Sequence, residues 1–157
     1  MPLDAAFLAD CPYLPHAVFI DELLTVDPEQ QLVRARMPTD IPLPIIDGQR
    51  VHPVKHPAHV PGAVMIHVTG ILGFLHAYHL LGLRTADGWT GYGARIHDAS
   101  FRSLARLGRP LILECRSKQV RRRDRLVVAR YDFRFTQDDV VVYEGDQGAI
   151  FTRFDTE

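Results

Sequence analysis

The sequence predicts an α+β chain in which a strongly curved antiparallel sheet wraps one long central helix. Three observations predict it: residues 60–83 are almost wholly apolar and lack Asp, Glu, Lys and Arg, two short extended segments precede them, and about four β-rich segments follow. A helix that is apolar on every side has to be enclosed, and a bent sheet is the element available to enclose it. The 157 residues, 46% of them hydrophobic, suit one domain, 1–157, built on one core.

The elements follow in order. Residues 17–26 (AVFIDELLTV) and 30–37 (QQLVRARM) read as strands of a hairpin, parted by the turn signal DPE. The proline-rich stretch 40–60 has no regular period and reads as an irregular loop, the kind of segment that carries functional groups. Pro61 suits the first helical position and Gly82 suits a C-terminal stop, which bounds the helix. After it, YGARIHDASFRSL, RPLILECRSKQV, DRLVVARYDFRF and DVVVYEGDQGAIFTRF are rich in β-branched and aromatic residues, and the last three predict an antiparallel meander.

Composition excludes several classes of function. A formal charge of −1 gives no electrostatic footprint for nucleic acid or an anionic membrane surface. Cys11 and Cys115 are too few for a disulfide framework and lack a paired CxxC spacing, which suits a reducing compartment. The N-terminus has no basic segment leading into an apolar one, so a cytoplasmic location is expected. Residues 60–83 approach bilayer-spanning length, but His67, His76 and His79 interrupt them, so a helix buried in protein is expected rather than a membrane span.

Chemistry-bearing residues concentrate in residues 51–73, VHPVKHPAHVPGAVMIHVTGILG, which hold His52, His56, His59 and His67. Imidazoles in a loop that leads into a buried helix fit proton transfer, metal ligation or plain packing. His52, His56 and His59 with His67 would make four zinc ligands, although their spacing matches no metal signature. His76 and His79, near the helix C-terminus, are expected to be structural, interacting as cations with the helix dipole.

The stretch YLPHAVFIDELLTVDPEQQLVRAR, Tyr13 to Arg36, resembles the hotdog-fold β-hydroxyacyl-ACP dehydratases, whose N-terminal segment reads LPH, an apolar run, Asp, a DP turn and a second strand. HPAHVPGAVMIH also looks like the DHVPG segment of the A-factor (butyrolactone) synthases, a second hotdog family, and ARIHDASFRSLARLGRPLILE is similar to both families' strand after the helix. The resemblance covers nearly the whole chain. It implies a hotdog fold, an acyl-ACP or acyl-CoA thioester as partner, a role in fatty acid or polyketide biosynthesis as a lyase, and a homodimer or higher assembly of dimers. It implies neither cofactor nor metal.

In the dehydratases a loop His and a helix Glu five residues after the helix-opening Gly divide the acid and base roles across two subunits. The loop His corresponds to His52, one residue farther from Pro61 than usual, with His56 and His59 as candidates if the register shifts. Five residues after Gly62 stands His67 in place of the Glu. An imidazolium is able to replace the carboxyl as a proton donor near neutral pH. The resemblance therefore suggests His52 as base and His67 as acid or vestige. Gly62 and Ala63, at the helix N-terminus, would offer N–H groups to a thioester carbonyl. Thr69, Gly70 and Gly73 either admit a close neighbour or widen an acyl tunnel. Arg102, Arg106, Arg109, Arg116, Lys118, Arg121, Arg122, Arg123 and Arg125 are a candidate face for pantetheine phosphate or an acidic carrier, or else a solvated hairpin. A thioesterase, an A-factor-type acyltransferase and a non-catalytic acyl-carrier or lipid-binding module stay open as alternatives.

Overall fold

The structure is a computed structural model that describes residues 1–155. Six strands form one antiparallel sheet: β1 (Glu22–Asp27), β2 (Leu32–Met37), β3 (Trp89–Phe101), β4 (Leu111–Arg123), β5 (Leu126–Gln137) and β6 (Val140–Arg153). Their spatial order is β1-β2-β4-β5-β6-β3. The chain leaves β2, crosses the sheet as the central helix α2 (Gly62–His76), and returns as β3 on the far edge. A short N-terminal helix, α1 (Ala5–Asp10), had no counterpart in the sequence reading; Asp4 caps it by accepting the Ala6 N–H.

Alternation writes the core. Along β5, Val127, Ala129, Tyr131, Phe133 and Phe135 are buried, and along β4 so are Leu111, Leu113 and Cys115. These side chains meet Val64, Val68, Ile71, Leu72 and Leu75 of α2. Helix and sheet thus bury the same cluster between them, as the all-round apolar pattern requires. The helical stretch Gly62–Leu81 is long and apolar enough to cross a membrane, and more than half of its most apolar window is buried inside the protein.

Local outcomes refine the expected boundaries. The first strand starts only at Glu22, because Pro15–Ala17 form a 3-10 turn and Phe19 takes a left-handed φ of 60°. Pro61 is the N-cap rather than the first helical residue, with its carbonyl accepting from Val64 and Met65. The α-helix gives way to a π-turn at Ala77–Leu81, and Gly82 then stops it in the left-handed region, φ 66°. The turn joining β5 to β6 places Asp138 and Asp139 at positive φ, the backbone of a tight hairpin.

The expectation that His76 and His79 act as cations is corrected. His76 is fully buried, burial depresses its pKa to about 4, and its Nε2 donates to the Gln31 carbonyl 3.1 Å away. Burial likewise lowers the pKa of His79. Desolvation of a charged ring outweighs the dipole here.

Candidate active site

A narrow crevice runs along the exposed flank of α2, between that helix and the strands β6 and β3. One end is polar, lined by His67, Thr69, Arg95 and Gln147; the other is apolar, lined by Phe74, Tyr92, Phe133 and Phe151. The apolar part is a narrow cleft, partly open to solvent and walled mainly by aromatic rings and glycines. Gly70 and Gly73 keep it open, since a Cβ on either would meet nothing within 4 Å.

His67 is held in one orientation. Its Nε2 lies 2.7 Å from the Ala17 carbonyl oxygen, and its ring packs edge-on against Tyr13 and Phe19 at centroid distances of 4.9 and 5.6 Å. A carbonyl only accepts, so Nε2 carries the proton and Nδ1 keeps the lone pair in the neutral ring. Phe19 reaches this position in its left-handed conformation, a strain of order 1–3 kcal/mol that the surrounding packing has to offset.

Opposite it, a polar relay crosses from helix to sheet. The Thr69 hydroxyl lies 2.9 Å from Gln147 Oε1 and 2.6 Å from the Ile66 carbonyl, and Gln147 Nε2 donates to the Tyr143 hydroxyl at 2.8 Å. Gln147 is thereby fixed with one amide N–H in use and a second free to donate. Sequence reasoning missed Gln147, Tyr143, Tyr13 and Phe19. A signal for Gln147 existed: period-two alternation along β6 puts it on the inward face with Tyr143 and Phe151, where an amide is out of place.

The loop histidines stand elsewhere. His52 is exposed, and the His52 and His56 backbones exchange hydrogen bonds of 2.7 and 3.0 Å. His52 Nδ1 accepts from the Val54 and Lys55 N–H groups, closing the turn. The His56 and His59 rings meet at 5.0 Å, and the His59 backbone pairs with the Gln49 side chain. His59 Nδ1 lies 2.8 Å from the Pro57 carbonyl. None of the three lines the crevice of its own chain. Among the described residues no three His, Cys, Asp or Glu side chains group as metal ligands, so the four-histidine zinc arrangement does not form.

At the helix N-terminus a Cβ on Gly62 would lie 2.9 Å from the Phe101 ring, so this glycine admits a close approach. Ala63 beside it is exposed. Much of the basic run is already occupied: Arg102 pairs with Glu144, Arg109 with Asp138, Lys118 with Asp132 and Asp146, and Arg125 with Asp155. Arg122 donates to the Leu81 carbonyl.

No protein-family model matches the sequence, and no curated protein matches it. Solved structures do match. The dehydratase heterocomplex ApeI:P of Xenorhabdus doucetiae superposes with a TM-score of 0.65 at 10% identity, covering 99% of this chain and 93% of that one. A mutant thioesterase from Pseudomonas aeruginosa gives a TM-score of 0.61 at 17% identity over 88% of this chain and 85% of its own. The fold is a hotdog. A third match, a sigma28-regulated virulence protein from Campylobacter jejuni, has a TM-score of 0.61 at 10% identity and covers 96% of this chain and 98% of that one. The hotdog architecture explains why helix and edge strand flank the crevice, since the helix is wrapped by the sheet and only its β3 side stays open.

Proposed function

We propose that this protein binds an acyl thioester in the crevice between α2 and β3, and that it dehydrates 3-hydroxyacyl thioesters in the cytoplasm. The observation that carries the reading is the slot's polarity: an apolar channel kept open by Gly70 and Gly73, with His67 and Gln147 at one end. Such a slot takes an alkyl chain and presents hydrogen-bonding groups to its thioester head. The Pseudomonas thioesterase and the Xenorhabdus dehydratase, similar in fold, are named for activities of this kind.

Hydrogen bonding favours roles converse to those the resemblance suggested. His67 keeps its lone pair on Nδ1, so it serves as the base for the C2 proton; His52, with Nδ1 accepting two N–H bonds, carries its proton on Nε2 and serves as the donor to the leaving hydroxyl. His52 is supplied by a second subunit. Support for that pairing is the position of β3 at the sheet edge with Tyr92, Ile96 and Phe101 each about half exposed, a surface suited to edge-to-edge association. Gln147, through its free amide N–H, polarises the thioester carbonyl.

Hydrolysis is the second reading, favoured by the lone pair of His67 acting without any second group of its own crevice, as a base for water. Incubation with 3-hydroxyacyl and saturated acyl thioesters, followed by mass spectrometry, separates them. Loss of water from the 3-hydroxyacyl substrate is the expected result. Release of free acid would establish the hydrolase instead, and a bound but unchanged thioester would make the protein a carrier.

A further inference from the structure

The crevice does not end blindly at its apolar end. Phe74 and Phe151 line it, and both also line a second, smaller chamber on their far side. That chamber is walled by Phe7 and Asp10 of α1, by Cys11, and by Tyr78 and Trp89. The Asp10 carboxylate clamps the chamber wall by accepting from the Thr85 and Ala86 N–H groups, each at 2.9 Å. The position of Phe151 is tightly set. A Cβ on Gly91 would lie 2.3 Å from its Cδ1, so the ring rests directly on the glycine backbone.

We propose that Phe151 and Phe74 form the stop that sets acyl-chain length, closing the slot against a second chamber roofed by α1 that longer chains would need. This deepens the acyl-thioester reading and rests on it. From His67 to Phe74 the helix advances about 10 Å at 1.5 Å per residue, which fits a medium-length chain and excludes a long one. Two aromatic rings are a stop by volume, because a methylene has no free space to enter where they stand. Removing either ring joins the two spaces. Each further methylene then buried strengthens binding about fourfold, so two or more raise affinity over tenfold.

The test uses butanoyl, octanoyl, dodecanoyl and hexadecanoyl pantetheine thioesters, with binding to the full-length protein followed by calorimetry. Wild type, Phe151→Leu, Phe151→Ala and Phe74→Ala are compared, with circular dichroism as the check on folding. Phe74 is only half-buried, so its variant keeps the test usable if Phe151→Ala fails to fold. The expected result is a wild type that discriminates against hexadecanoyl, and folded variants that gain at least about tenfold for it relative to octanoyl. A wild type that takes hexadecanoyl as well as octanoyl, or folded variants with an unchanged length profile, overturns the stop while leaving the acyl-thioester reading in place. Absence of binding at every length overturns that reading and the stop with it.

Discussion

His67 Nε2 lies 2.7 Å from the carbonyl oxygen of Ala17, across 50 residues of sequence. This bond ties the central helix to the turn before β1 and fixes which ring nitrogen holds the proton. The other nitrogen, Nδ1, keeps the lone pair that the proposed base requires. Replacing His67 with Ala is expected to lower kcat by about 10²–10⁴-fold, the usual contribution of a positioned base. Steady-state kinetics on the 3-hydroxyacyl substrate measures it, and an undiminished kcat would remove His67 from the chemistry.

Glu at this position, as in the dehydratases that the sequence resembles, is expected to be worse rather than better. A carboxylate only accepts, so His67→Glu sets two acceptors against each other at Ala17 and leaves a part-buried group unpaired. The expected cost is about 1–3 kcal/mol of stability, with no gain in dehydration. Urea unfolding and product analysis of the variant check both halves.

Gln147 is held from both sides, by Thr69 and by Tyr143. Gln147→Leu is expected to weaken thioester binding about two- to tenfold through one lost hydrogen bond, with a smaller effect on folding because Thr69 keeps the Ile66 carbonyl. Calorimetric titration of the variant with octanoyl pantetheine gives the number directly.

His76 makes the fold sensitive to mild acid. Its pKa falls from 6.5 to about 4 on folding because burial disfavours the imidazolium. Between these values the unfolded chain binds the proton and the folded one does not, so stability is full above about pH 6.5 and declines as pH falls toward 4. His76→Phe removes this dependence. Melting temperatures across that window are expected to fall more steeply in wild type than in the variant, and parallel curves would contradict the assignment.

Gly91 carries no side chain because Phe151 occupies its place. Gly91→Ala forces the ring to move and is expected to destabilise the protein by about 1–3 kcal/mol, as overpacking does. A thermal melt of the variant decides this.

The strands and the helix were legible because their signals are periodic: alternation in β4 and β5, and an apolar run too long to expose in α2. The ends were not, because Phe19 leaves the extended region through tertiary packing and the π-turn after His76 has no sequence mark. At the candidate site, His67 is singled out by its place after Gly62, whereas Gln147 reaches Thr69 only because α2 packs against β6. The dipole argument for His76 looked at the helix alone; enclosure by the sheet, a non-local fact, reversed it.

The most direct test of the acyl slot is Gly70→Leu. The new side chain has open space to enter, and Leu is a better helix former than Gly by nearly 1 kcal/mol, so the variant is expected to fold at least as stably as wild type. It also fills the channel. Calorimetry is therefore expected to show an unchanged or higher melting temperature together with loss of octanoyl-pantetheine binding. A stable Gly70→Leu protein that binds the thioester as tightly as wild type would contradict the account.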